Sequence, residues 1–279
     1  MNFTEKLLKA VSDNRSTVCV GLDPNLDLLP NAVKKTDLSD TENVEQFLTK
    51  VIDVTAEYCA AYKPNLGFFE ALGADGWDTF KTIVNHIPDD KIIIADAKRG
   101  DISSTAEHYA KAFFEQFDID AITLNPLMGF ETLNPFLQYP NKGVYVLTLT
   151  SNPGANDILK KELANGKLIS NYIAEQLSKK QSHSKTSIGM VVGATQAKDL
   201  EPVITEFPQA PLLIPGVGKQ GGSINEFANS LSAHTGIPLV NSSRSIIYAG
   251  NDSKNWAQAV ANSALNLKNR LAPITKRYV

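Results

Sequence analysis

Ile92-Ile93-Ile94-Ala95-Asp96-Ala97-Lys98-Arg99-Gly100-Asp101-Ile102, followed by Ser103-Ser104-Thr105, is an apolar run that ends in closely spaced opposite charges. In an extended strand, side chains at i and i+2 point to one face. This pattern predicts Asp96 and Lys98 side by side at the end of a buried strand. Gly100 permits a sharp exit, Asp101 follows it, and Ser103 or Ser104 is expected to cap the helix that begins there. Ionisable groups at the mouth of an apolar strand are costly unless they pair or do chemistry. A structural salt-bridge network and a catalytic array both account for the pattern.

Around this stretch, short apolar strands alternate with longer helical patterns, the signature of parallel β/α architecture. The strand candidates are Thr17–Leu22, Ala60–Asn65, Lys91–Asp96, Ala121–Asn125, Gly143–Thr148, Ser187–Val192, Pro211–Ile214 and Ile237–Asn241. Helical patterns occupy Val44–Tyr58, Gly76–His86, Ser103–Gln116, Leu168–Lys179, Ala197–Glu206, Ser223–Ala233 and Asn255–Leu271. The fourth crossover, Glu131–Tyr139, is short enough for only a brief helix.

The expected fold is α/β, a (β/α)8 TIM barrel formed by residues 1–279 as a single catalytic domain, with a doubly wound open sheet as the alternative. Polar residues recur at strand C-terminal ends (Asp23, Lys63, Asp96, Asn125, Thr150, then Arg244), where barrel active sites are assembled. No Gly-x-Gly-x-x-Gly follows the first strand, which argues against a dinucleotide site.

With 279 residues, 43% of them hydrophobic and 20% charged, the chain has the balance of a soluble globular protein. Its 27 basic and 30 acidic residues give a net charge of −3, without the basic footprint of a nucleic-acid binder. The residues Met1–Ser12 are amphipathic and lack the apolar core of a signal peptide, and the apolar runs are too short to span a bilayer. Cys19 and Cys59, the two cysteines, read as buried free thiols of a cytoplasmic protein. No histidine spacing suggests a zinc site or a nucleophilic triad, and no metal or cofactor is expected.

Five further motifs carry chemistry. Gly21-Leu22-Asp23-Pro24 ends the first strand, and Ala61-Tyr62-Lys63-Pro64-Asn65 the second. Asp23 alone suits a turn, and an isolated Lys63 suits a snorkelling cation. Thr150-Ser151-Asn152-Pro153-Gly154 ends the fifth strand; its hydroxyls suit either a cap or an imide edge that needs both donor and acceptor. After the seventh strand comes Ile214-Pro215-Gly216-Val217-Gly218-Lys219-Gln220-Gly221-Gly222, and after the eighth Asn241-Ser242-Ser243-Arg244. Glycine-rich backbone and an Arg fork at these positions suit a phosphate, since loops after strands seven and eight commonly form the barrel phosphate site.

Asp-x-Lys-x-x-Asp-Ile with a Thr four residues after the second Asp resembles the signature of the orotidine 5'-monophosphate decarboxylase family. Lys63-Pro64-Asn65 with Phe68-Phe69-Glu70, Pro215-Gly-x-Gly-x-Gln220-Gly-Gly222 and Ser243-Arg244 resemble its other motifs. The matches run in order through strands one, two, three, five, seven and eight. Long loops after strands one and five fit the family's longer bacterial-type branch.

The resemblance implies decarboxylation of orotidine 5'-monophosphate (OMP) to uridine 5'-monophosphate (UMP), the last step of de novo UMP synthesis. It makes Lys63, Asp96, Lys98 and Asp101 an alternating catalytic array, with Lys98 the proton donor. It assigns Asp23 to a ribose hydroxyl, Ser151 to the pyrimidine edge, Gln220 to base and phosphate, and Arg244 to the phosphate. Thr105, Pro215, Gly222 and Ser243 complete the substrate-binding set. It further implies a homodimer in which Asp101 and Thr105 reach the neighbouring subunit's site, with no membrane or nucleic-acid partner.

Two other readings use the same residues. A Mg²⁺-dependent barrel decarboxylase of sugar-acid phosphates also carries Asp-x-Lys-x-x-Asp but needs a further carboxylate where this chain has Lys63-Pro64-Asn65. A non-catalytic phosphate-ligand barrel needs the Gly-rich loop and Arg244 without the charged array.

Overall fold

The structure, a computed structural model, describes residues 1–193, 197–216, 228–251 and 253–279. Eight strands follow one another around a closed barrel: β1 Val18–Leu22, β2 Ala61–Pro64, β3 Ile92–Arg99, β4 Ala121–Leu124, β5 Gly143–Leu149, β6 Ser187–Val192, β7 Leu212–Pro215 and β8 Pro238–Ser242. The expected barrel is the fold observed. Every residue of β1, β2, β4 and β8 is buried, as parallel strands covered on both faces require.

By contact density the chain divides into two compact units. One comprises Lys9–Ala97 with Asn241–Val279, the other Met1–Leu8 with Lys98–Val240.

In the first unit, β1 and β2 pair in parallel from Cys19↔Ala61 to Leu22↔Pro64, and β2 continues onto β3 through Ala61↔Ile92 and Tyr62↔Ile93. The helix Asp40–Thr55 begins at a capping box, in which Ser39 Oγ accepts from the Glu42 N–H and the Glu42 carboxylate accepts from the Ser39 N–H. Its buried face carries Val44, Phe47, Leu48, Val51 and Ile52, the spacing of an amphipathic helix. Phe47 stacks on Tyr248 (ring centroids 5.6 Å apart, 9° between planes) and packs against Trp256 of the helix Trp256–Thr275. Tyr62 is buried with its hydroxyl in use, donating to Ile52 O and bonded to Thr55 Oγ1.

In the second unit, β4, β5 and β6 pair in parallel, with a register shift between Leu147 and Leu149 of β5, and β6 pairs with β7 at Met190↔Leu212 and Val191↔Leu213. Phe3 packs edge-on against Tyr145 and fills the space a side chain at Gly143 would take. The brief helix expected near Glu131–Tyr139 is a 3-10 helix, Phe130–Gln138. Pro135 inside it removes one backbone donor and disfavours α-helical continuation. No helix among the described residues is long and apolar enough to cross a membrane.

Candidate active site

In the first unit, three of the anticipated side chains gather at the ends of β1, β2 and β3. Lys63 Nζ donates to Asp96 Oδ2 at 2.6 Å, with the two side chains only 5% and 10% exposed. A backbone bridge from Asn65 to Asp96 sets the register that brings them together. Asn65 also caps the helix Leu66–Glu70, which the sequence pattern had not suggested, by accepting from the Gly67 N–H. Burial alone would lower the Lys63 pKa, but the Asp96 and Asp23 carboxylates and the Asp96 hydrogen bond outweigh it, and the pKa is raised.

Asp23 Oδ1 and Asn241 Oδ1 are both buried, with no hydrogen-bond partner among the described residues. Each oxygen can accept a further hydrogen bond. Tyr248 holds the loop that carries Asp23: its hydroxyl donates to Asp23 O at 2.8 Å and accepts from the Asn25 N–H at 2.6 Å. Burial pushes the Tyr248 pKa up to about 12, so it stays a neutral donor. Sequence reading missed this residue; it lies four positions beyond Arg244, outside any recognised motif.

Beyond β8, Arg244 is exposed and opens the helix Arg244–Ile247, while Ser243 accepts from the Ile246 and Ile247 N–H groups through its carbonyl. The Ser243 side chain lies over Gly21: a Cβ built there would stand 1.9 Å from Ser243 Oγ and 3.2 Å from Asn241 Oδ1. Cys19 and Cys59 are buried free thiols, as expected. Burial raises both pKa values, that of Cys59 to about 11, so neither is a nucleophile.

In the second unit, the exit of β3 departs from regular strand geometry. Lys98 has φ +46° and Ser103 φ +48°, two left-handed non-glycine residues bracketing Asp101. The simple i, i+2 alternation therefore stops at Lys98. The expected serine cap is corrected as well. The N-cap position of Ser103–Lys111 is Ile102, without a side-chain cap, and the Ile102 N–H donates instead to Asp101 Oδ1 at 2.8 Å. Lys98 and Thr105 are exposed and Asp101 is half-buried. The Arg99 guanidinium sits over the Tyr109 ring, 5.2 Å from its centroid, and tethers this exit to the helix that follows.

Ser151 is half-buried after β5, against the ends of β6 and β7. A Cβ on Gly193 would meet the Ser151 backbone nitrogen at 2.6 Å, and one on Gly216 would lie 3.8 Å from Ser151 Oγ. Pro215, the last residue of β7, thus adjoins the Ser151 hydroxyl through Gly216, whose φ of +89° requires glycine-like freedom. Gln220 and Gly222 lie outside the described residues. Among the described residues, no group of three or more His, Cys, Asp or Glu side chains is placed to hold a metal ion.

Residues 16–259 match the model of the orotidine 5'-phosphate decarboxylase / HUMPS family. The chain is 41% identical over 262 residues to the orotidine 5'-phosphate decarboxylase of Herpetosiphon aurantiacus, covering 94% of this chain and 95% of that one. It is 40% identical over 273 residues to the Bacteroides fragilis orotidine 5'-phosphate decarboxylase, with 96% of each chain covered. The solved structure of Leishmania donovani OMP decarboxylase superposes with a TM-score of 0.79 at 31% identity, over 98% of this chain and 99% of that one.

Proposed function

The chain belongs to the orotidine 5'-phosphate decarboxylase family, and on that premise we propose how its residues carry out the reaction. The enzyme converts OMP to UMP and carbon dioxide in pyrimidine biosynthesis. The observation that carries the residue assignment is the buried Lys63–Asp96 pair at the strand ends leading into Lys98.

The reaction breaks the bond between C6 and the carboxylate. The electron pair stays on C6 as a vinyl-type carbanion that no carbonyl can delocalise. A cation held at C6 lowers that barrier by opposing charge as it develops. In our reading Lys98 is this ammonium. It stabilises the carbanion and then gives its proton to C6; the neutral amine left behind is reprotonated from solvent. Asp96, fixed by Lys63, positions the ammonium and lies against the departing carboxylate.

Asp23 accepts from the ribose, and its bare Oδ1 supports that role. Ser151 reads the pyrimidine edge. The phosphate is held by Arg244, with Ser243, Pro215, Gln220 and Gly222 around it. Phosphate binding energy, remote from C6, then serves to organise the site.

We read residues 1–279 as one catalytic barrel domain that works as a homodimer, with Asp101 and Thr105 completing the partner's site. Ile102, Leu127 and Met128, large apolar side chains after β3 and β4, are 52%, 71% and 53% exposed, which supports a second chain covering this surface. Two buried free thiols support a reducing, cytoplasmic setting.

The test is Lys98→Ala. It should bind UMP as the wild type does while losing decarboxylation. Wild-type turnover in that variant would refute the assignment of Lys98.

A further inference from the structure

We propose that Thr123, on β4, is a positioning residue for the decarboxylation: its hydroxyl holds the Lys98 backbone in the conformation from which the ammonium acts. The proposal rests on the reading of Lys98 as proton donor and adds a residue that no motif marks.

A left-handed backbone at a residue bearing a side chain is strained and persists only where its surroundings over-determine it. Here the surroundings are specific. The Lys98 N–H donates to Thr123 Oγ1 at 2.9 Å. One residue on, Arg99 O accepts from the Asn125 N–H at 2.8 Å. At Gly100 the chains touch, since a Cβ there would lie 2.5 Å from Asn125 O. Three consecutive residues, 98 to 100, are thus fastened to positions 123 and 125.

Thr123 is 1% exposed, within the wholly buried strand Ala121–Leu124. A hydroxyl at such a position is costly unless it is used, and valine would fill the same space. The bond to Lys98 is a use that valine lacks. Were residue 98 to relax toward ordinary strand geometry, its Cα–Cβ vector would swing and carry the ammonium with it. A displacement of about 1 Å at a reacting centre costs roughly a hundredfold in rate.

The experiment measures kcat and KM for OMP in Thr123→Val and Thr123→Ser, with Lys98→Ala in parallel. Val keeps the shape and removes the acceptor, whereas Ser keeps the acceptor. Thr123→Val should lose about tenfold to a hundredfold in kcat with KM changed less than about threefold, and Thr123→Ser should stay within about threefold of wild type. Wild-type kcat in Thr123→Val, or an equal fall in both variants, would overturn the proposal.

Should Thr123→Val fail to fold, amide exchange at Lys98 in the native enzyme decides instead. Slow exchange at Lys98 that persists in Thr123→Ser and quickens in Thr123→Ala agrees with the proposal, and fast exchange in the wild type refutes it. An active Lys98→Ala enzyme would sink the reading of Lys98 itself. An inactive one beside a fully active Thr123→Val would sink only the role given to Thr123.

Discussion

Gly21→Ala is the substitution whose consequence follows most directly from the geometry. The new methyl carbon would stand 1.9 Å from Ser243 Oγ, 2.8 Å from Ser243 Cβ and 3.2 Å from Asn241 Oδ1. Non-bonded carbon atoms rest at roughly 3.5–4.0 Å, so Ser243 must retreat by more than about 1 Å. Overpacking of this kind costs about 1–3 kcal/mol. Ser243 precedes Arg244 and in our reading helps hold the substrate phosphate. If the cost falls on nucleotide binding, KM for OMP rises roughly fivefold to more than a hundredfold. If it falls on folding, the urea midpoint drops instead.

Steady-state kinetics and urea titration of the same preparation separate the two. The double variant Gly21→Ala/Ser243→Gly removes both Ser243 atoms from the methyl's path. It should regain the lost stability while keeping the higher KM of Ser243→Gly alone. A Gly21→Ala enzyme with wild-type KM and wild-type urea midpoint would refute the reasoning, because nothing would then have had to move.

Other outcomes follow from the same structure. Lys63→Met removes the buried ammonium from which Asp96 accepts and should destabilise the fold by about 3–5 kcal/mol in urea titration while abolishing turnover; retained stability would show that the pair does not carry this weight. Because the Lys63 pKa is raised in the folded state, its contribution is fully present below the ordinary value of 10.5 and is lost as pH climbs through the higher folded value. Wild-type stability should therefore fall across that alkaline window more steeply than that of Lys63→Met, and parallel curves would contradict the shift. Dimers mixed from Lys98→Ala and Asp101→Ala chains should recover activity that neither homodimer has, since one site of each mixed pair is wild type. No recovery after verified subunit exchange would rule out a shared site.

Architecture was legible in the sequence because it rests on patterns a linear reading captures. Ser187–Val192 is found with the expected bounds, and the others shift by one residue at one or both ends. The exception is β3, which runs on to Arg99, three residues past the expected end at Asp96. That extension hid the main departure. Period-two alternation holds only while the backbone stays extended, and the left-handed turn at Lys98 depends on Thr123 and Asn125, twenty-five residues or more downstream.

Ser103 and Ser104 looked like caps by composition, yet the Asp101 carboxylate takes the Ile102 N–H and the helix starts without one. Gly21 drew no notice beyond its place in the first-strand motif because its constraint comes from Ser243 at the far end of the chain. Thr123 and Tyr248 were invisible for the same reason. Each acts through a hydrogen bond or a packing contact set by the barrel, with no local spacing to announce it.

The most direct test of the central claim is turnover of OMP by chelator-treated, metal-free protein, following loss of the orotate absorbance together with carbon dioxide and UMP. One carbon dioxide and one UMP should form per OMP consumed, at a rate unchanged by added Mg²⁺ and abolished in Lys98→Ala. A folded protein that binds UMP without consuming OMP, or turnover that tracks added Mg²⁺, would contradict that claim.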